Sequence, residues 1–230
     1  MYTFYNFLLK WSEVWPLAIA LTIFILFTQK ENTKLIIWLL AISLFLHAIA
    51  TYISVFTYRM PESLKNNIII YNCLAFIKPV FSCLFLLNLK QLKQYKYLKY
   101  FLGLFIVFTI INFLFFESIF NFSSSMVLAE SFLLLVFTIT FFLNAIIDDD
   151  IPLPLSHPAY FLCTAIGLFE SINFFIYLFI VYLYDMNREF AILIMKISSI
   201  AYIIYGLTIA SGLYINRKTL RFLKLNRPHE

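Results

Sequence analysis

Charged residues are scarce in this chain: Asp, Glu, Lys and Arg make up 13% of its 230 residues, about half the share found in soluble domains. Glycine is also scarce, with four residues, whereas 63% of the chain is hydrophobic. So few polar side chains cannot cover a water-soluble globule of this length, which predicts an integral membrane protein whose outer surface faces the lipid bilayer.

Motifs that would carry catalysis or hold a cofactor are missing as well. The sequence contains no HExxH, GxSxG or Walker pattern. Its three cysteines, Cys73, Cys83 and Cys163, lie in apolar segments and form no Cys-x-x-Cys pair, so neither a disulfide framework nor a metal site is indicated. We therefore predict no enzyme activity, no cofactor and no metal.

Long apolar runs, separated by charged or proline-containing loops, predict an all-α bundle of about seven transmembrane helices. Each run is assigned as helical because a helix satisfies all its backbone groups within the segment. We expect one domain over residues 1–230, with spans at 13–28, 35–57, 67–89, 97–116, 123–147, 158–184 and 191–215 and a tail at 216–230.

The lysines and arginines between these spans predict the orientation, because positively charged loops stay in the cytoplasm. Eleven lie on one side of the predicted bundle and four on the other. The N-terminus is therefore expected outside and the C-terminus in the cytoplasm, in a multi-pass protein of the cytoplasmic (inner) membrane. This distribution also accounts for the net charge of +5, so no nucleic-acid partner is implied.

The segment 148–158 on the predicted cytoplasmic side begins with three aspartates and contains three prolines. Acidic residues contribute little to topology, so the orientation is unaffected. The segment is interpreted either as a stiff connector or as a loop that faces a partner protein through its acidic residues.

Five ionisable side chains stand out because they lie well within the predicted spans: His47, Lys78, Glu130, Glu170 and Lys196. Such residues are costly in hydrocarbon and usually face the interior of a bundle, which makes them candidate ligand-binding residues. Two alternatives stay open. Lys196 is near enough to the end of its span to extend to the membrane surface, and His47 is also consistent with a hydrogen-bonded core histidine.

Helical spacing extends this candidate site along the third span, where Tyr71 shares a face with Lys78 and Asn72 lies beside it. Lys78 and Glu170 fall at similar depth on helices that run in opposite directions. We expect Lys78 to contact Glu170, or alternatively Glu130, because pairing removes the cost of isolated charges. Small residues on the polar stripes, such as Gly206, predict close approach between helices.

One segment, IPLPLSHPAYFLCTAIGLFE at 151–170, carries a Pro-Leu element and a further proline ahead of a helix, then aromatic residues and a glycine. Together with Ile-Tyr-Asn at 70–72, it resembles uncharacterised small seven-helix membrane proteins of Bacteroidota. Tyr160 and Phe161 stand where those proteins usually have Phe-Trp. Many of them are encoded beside sensor histidine kinases, so the resemblance implies a sensory role and identifies no functional residue.

These observations favour a sensor-like or receptor-like membrane module that signals to a separate cytoplasmic protein. The same intramembrane charges are compatible with a small transporter or a lipid-handling protein. They are equally compatible with an accessory subunit of a larger membrane complex, whose polar stripes pack against a partner.

Overall fold

The computed structural model of the chain describes residues 7–26, 34–59, 66–147 and 157–225, and within these ranges it contains no β-strand. Eight α-helices follow one another along the described chain. They are α1 (Trp15–Leu26), α2 (Lys34–Val55), α3 (Ile68–Leu87), α4 (Lys90–Lys93), α5 (Tyr97–Ile111), α6 (Ser124–Ile147), α7 (Pro158–Met186) and α8 (Arg188–Leu225).

Six of these helices, α2, α3 and α5 to α8, are long and apolar enough to cross a membrane. The prediction of an all-helical, multi-pass membrane protein is confirmed to that extent. The first predicted span, 13–28, coincides with the 12-residue α1, whose length of about 18 Å is less than the bilayer core. A seventh crossing and the orientation therefore stay predictions.

The last helix extends beyond the predicted span. Its apolar, span-length segment ends at Ile215, where the sequence predicts the span to end, and α8 continues without a break through part of the predicted tail to Leu225. No proline or glycine occurs between residues 213 and 225, so nothing in the sequence interrupts the helical backbone there. Most of the acidic, proline-containing segment at 148–158 lies outside the described residues.

Helix contacts arrange six of the helices in a closed ring. Along the ring α1 packs on α2, α2 on α3, α3 on α6, α6 on α7, and α7 on α8, which returns to contact α1. Helix α5 lies outside this ring and packs against α3 and α6. The six ring helices therefore enclose a common interior, and α5 packs on the outside of the ring.

Two glycines of α8 allow it to pack closely against its neighbours α1 and α7. A Cβ atom added to Gly206 would lie 2.5 Å from the Cβ atom of Pro16 in α1 and 3.1 Å from its carbonyl carbon. A Cβ atom on Gly212 would collide with Phe161 in α7. The expected close approach at Gly206 is confirmed, since only a glycine leaves room for the facing helix there.

The half of the ring nearest the α3–α5 connection is filled by apolar side chains. Leu86, Phe137, Phe141 and Leu162 are all fully buried in this region, where they belong to one continuous core cluster. Because protein interiors are packed to near-crystalline density, these side chains leave little space through which a polar molecule could pass.

A small network of hydrogen bonds connects the segment that follows the C-terminal end of α5 with the start of α6. After α5 a π-helical turn covers Asn112–Phe116. Glu117 then accepts hydrogen bonds from Asn112 Nδ2 at 3.0 Å and Ser125 Oγ at 2.8 Å. Partial burial alone would raise the pKa of Glu117, but the hydrogen bonds from Ser123, Asn112 and Ser125 together hold that pKa below its ordinary value.

Candidate functional site

A cavity of about 380 Å³, with apolar walls and several charged and polar side chains, lies inside the helix ring. Each of the ring helices α2, α3, α6, α7 and α8 contributes to its wall, as does Glu13 immediately before α1. The lining residues come from the centre of the ring and from the end at which α3 and α6 begin, where Asn67 and Phe122 lie at the rim. We call this end the cavity face.

Lys78 occupies the floor of the cavity between two carboxylates. Its Nζ atom donates a hydrogen bond to Glu170 Oε1 at 2.8 Å and forms an ion pair with Glu130 Oε1. Glu170 accepts a second hydrogen bond, at 2.7 Å, from Ser131 Oγ. The Lys78 ammonium also lies 4.8 Å from the ring centroid of Phe169, within cation–π range. The expected pairing of Lys78 is confirmed with both glutamates.

Burial makes this three-residue cluster expensive to disrupt. The side chains of Lys78, Glu130 and Glu170 are 13%, 5% and 2% exposed, so removing the Lys78 charge leaves both carboxylates without a counter-charge and with little water to solvate them. Pro79 follows Lys78 within α3 and lacks the backbone N–H that would bond to the carbonyl of Ala75. Ala75 also lines the cavity.

A second polar chain crosses the upper part of the cavity. Glu13 Oε2 accepts a hydrogen bond from Tyr71 Oη at 2.9 Å and lies 3.0 Å from His47 Nδ1. On the other side of the imidazole, Nε2 lies 2.8 Å from Tyr202 Oη. An ionised carboxylate can only accept, so His47 Nδ1 carries the proton. In the neutral imidazole, Nε2 then accepts from Tyr202.

The cavity contains more acidic than basic side chains. Its ionisable groups are the three glutamates Glu13, Glu130 and Glu170, together with Lys78 and His47. With all three carboxylates ionised and His47 neutral, the net charge is −2. It is still −1 when His47 is protonated. A buried site cannot hold such an excess without a compensating proton or cation, because charges in low dielectric are strongly destabilised.

The structure brings together five of the seven residues predicted for the ligand site: His47, Tyr71, Lys78, Glu130 and Glu170 all line the cavity. Whether they bind a ligand stays a prediction.

The other two predicted residues lie elsewhere. Asn72 points away from the cavity and donates hydrogen bonds to the backbone carbonyls of Ile119 and Asn121. Lys196 lies on the exposed surface of α8. It is six residues from the cavity-lining Tyr202, so the two side chains differ by about 120° around the helix.

Several cavity residues were absent from the sequence-based set, above all Glu13. Its partners His47 and Tyr71 lie 34 and 58 positions away along the chain, so no local pattern connects them. Asn173 and Ser198, joined by a 2.7 Å hydrogen bond between α7 and α8, were also missed. Asn173 lies three residues after Glu170 on the same face of α7, and this spacing could have identified it.

Comparison with known protein families, curated proteins and solved structures finds no match to this chain.

Proposed function

We propose that the chain is a receptor-like membrane module that binds a small polar ligand in the central cavity and signals to a separate protein. The observation that carries this proposal is the cavity itself, a space of about 380 Å³ surrounded by ring helices and lined by several charged and polar side chains. Ligand pockets in proteins have volumes of about 300–1,000 Å³ and combine apolar walls with a few fixed polar groups.

The one-sided position of the cavity favours a receptor over a carrier. Its lining reaches Asn67 and Phe122 at the cavity face, whereas buried apolar side chains such as Phe137 and Phe141 fill the other half of the ring. A receptor needs access from one side only. In the orientation predicted from the loop charges, the cavity face is outside and the closed half is cytoplasmic.

The closed half also offers the surface by which a cytoplasmic partner would receive the signal. Lys93, Lys96 and Lys99 are exposed between α4 and the start of α5, next to the apolar half of the ring. Helix α8 connects this side directly with the cavity, because Ser198 and Tyr202 line the cavity on the same continuous helix that extends to Leu225.

A small transporter is the second candidate, and the surplus of carboxylates specifically favours it. Membrane carriers use intramembrane acidic groups to bind and release protons or ions, and Glu13, Glu130 and Glu170 are not balanced by Lys78 and His47. A carrier must expose the same site to both sides of the membrane in turn. A reagent confined to one side therefore reaches the cavity from either side in a carrier, but from only one side in a receptor.

Cysteine accessibility separates these functions. Ser198 lines the cavity, so Ser198→Cys is introduced after the native cysteines Cys73, Cys83 and Cys163 are replaced by alanine. Membrane-impermeant methanethiosulfonate reagents are applied to right-side-out and to inverted vesicles. A receptor with a one-sided cavity reacts only in right-side-out vesicles, whereas reaction in both preparations would establish alternating access and count against the receptor proposal.

A further inference from the structure

The charge balance of the cavity, its aromatic lining and the state of two carboxylates point to one class of ligand. We infer that the cavity takes a small monovalent organic cation, an alkylammonium group held by the carboxylates of Glu13 and Glu130 and by surrounding aromatic rings. This inference rests on the proposed binding function and names the ligand chemistry of the same site.

The first support is the net charge. Three glutamates line the cavity with one lysine and one histidine, so with all three carboxylates ionised at least one positive charge is missing even when His47 is protonated. A monovalent cation restores neutrality in that state. An anionic ligand would instead add to the excess of negative charge in a region with little water, which is strongly unfavourable.

The second support is that two carboxylates retain acceptor capacity toward the cavity. Glu130 lines the cavity; its Oε1 atom pairs with Lys78 Nζ, whereas no described residue donates a hydrogen bond to its Oε2 atom. Glu13 uses Oε2 for both His47 and Tyr71. Its side chain is 28% exposed, so a ligand in the cavity can reach it. An ammonium group supplies three N–H donors to such acceptors.

The third support is the aromatic wall. Tyr71, Phe122, Phe169, Tyr177 and Tyr202 all line the cavity, and the faces of aromatic rings attract organic cations through the ring quadrupole. The site already binds one ammonium in this way, because Lys78 Nζ lies over Phe169 between two carboxylates. A ligand ammonium would meet the same combination of groups higher in the cavity, near Glu13 and Tyr71.

Three probes with the same tert-butyl group test the role of charge: tert-butylammonium, tert-butanol and pivalate, which carry charges of +1, 0 and −1. The protein is the full-length Ser198→Cys variant without native cysteines, reconstituted in lipid nanodiscs at neutral pH. For each probe, the rate at which N-ethylmaleimide modifies the introduced thiol is measured at increasing probe concentration. Sodium chloride at equal concentration controls for ionic strength and for binding of an inorganic cation.

We expect tert-butylammonium to protect the introduced thiol at a concentration at least about tenfold lower than the other two probes, consistent with the focusing of cations by a negatively charged cleft. Glu13→Gln and Glu130→Gln should each weaken this protection about tenfold. Glu117→Gln removes a carboxylate outside the cavity lining and should leave protection unchanged. An unaltered rate of thiol modification without probe shows that the variants are folded.

Equal protection by tert-butanol, pivalate or sodium chloride would overturn the inference while leaving a binding cavity in place. Absence of protection by tert-butylammonium, when the thiol itself is reactive, would also overturn it and would mean that a proton neutralises the site instead. A thiol that does not react from the cavity face at all contradicts the proposed binding function itself, so the two failures are distinguishable.

Discussion

Replacing Lys78 by methionine tests the central ion cluster most directly. Methionine has similar length and no charge, so Lys78→Met removes the cation while filling most of the space. Glu130 and Glu170, which are 5% and 2% exposed, are then left next to each other in the bundle interior. The decrease in the free energy of unfolding depends on the cost of burying these two carboxylates without a counter-charge.

Breaking a buried ion pair by removing one partner costs about 3–5 kcal/mol. For a chain of this length, a change of 1 kcal/mol shifts the melting temperature by roughly 2–4 °C, so Lys78→Met should lower it by roughly 10 °C. Glu170→Gln should cost about 1–2 kcal/mol, because Glu130 still balances Lys78 and the amide can still bond to Ser131. Glu130→Gln should cost less again, because Glu130 has no counterpart to the hydrogen bond that Ser131 donates to Glu170.

The decisive measurement is the triple variant Lys78→Met, Glu130→Gln, Glu170→Gln, followed by thermal unfolding in detergent. Neutralising both carboxylates removes the isolated charges created by the lysine substitution, so the triple variant should be more stable than Lys78→Met alone. Residues in direct contact show coupling of about 0.5–3 kcal/mol. Additive losses, with the triple variant the least stable of the set, would refute the account of a mutually compensating cluster.

Three further predictions concern packing, orientation and pH. Gly206→Ala should destabilise by about 1–3 kcal/mol, as overpacking does, because its Cβ would meet Pro16; Gly103→Ala, with no neighbour within 4 Å of its Cβ, should be neutral or stabilising in the same unfolding assay. In intact cells, Ser118→Cys at the cavity face should react with an impermeant maleimide, whereas Lys96→Cys should not. Burial lowers the pKa of His157 below its ordinary 6.5, so stability contributed by its neutral form is present above pH 6.5 and lost as the pH falls through the folded-state pKa. Tm measured against pH should therefore fall less steeply in His157→Asn.

Each of these predictions has a matched comparison. Equal losses in Gly206→Ala and Gly103→Ala would mean that close approach of α1 and α8 is unimportant. The reverse labelling pattern for Ser118→Cys and Lys96→Cys would invert the orientation. For His157, the Nδ1 atom accepts a hydrogen bond from the Ala159 amide at 3.2 Å, and asparagine can provide the same acceptor. If Tm depends on pH in His157→Asn as it does in the original protein, protonation of His157 is not what lowers the stability.

The features that the sequence predicted are those with a strong local or energetic signal. Of the seven spans predicted from long apolar runs, six coincide with helices long and apolar enough to cross a membrane, because the apolar signal extends over the full length of each of these segments. The pairing of Lys78 with Glu130 or Glu170 was predicted because an isolated charge in hydrocarbon is costly and therefore needs a partner. The spans contain few acidic residues at the depth of Lys78, so few partners were possible. These predictions needed no knowledge of how the helices are ordered around the ring.

Features that depend on that order were missed. Glu13 reaches His47 only because α1 packs between α2 and α8, an arrangement that the sequence does not reveal. Lys196 was placed in the candidate site because it is charged, but the face that α8 turns inward is that of Ser198 and Tyr202. Asn72 shows the same limit, since one helical step of 100° separates it from the inward-facing Tyr71.

The unbroken length of α8 has a mechanical consequence. From Tyr202 in the cavity wall to Leu225, the helix extends for 23 residues, or about 35 Å at 1.5 Å per residue. A rigid rod of that length amplifies small rotations: a tilt of about 5° at the cavity moves its far end by roughly 3 Å. Helix α8 thus forms a lever arm whose short end touches the cavity and whose long end extends beyond the apolar bundle.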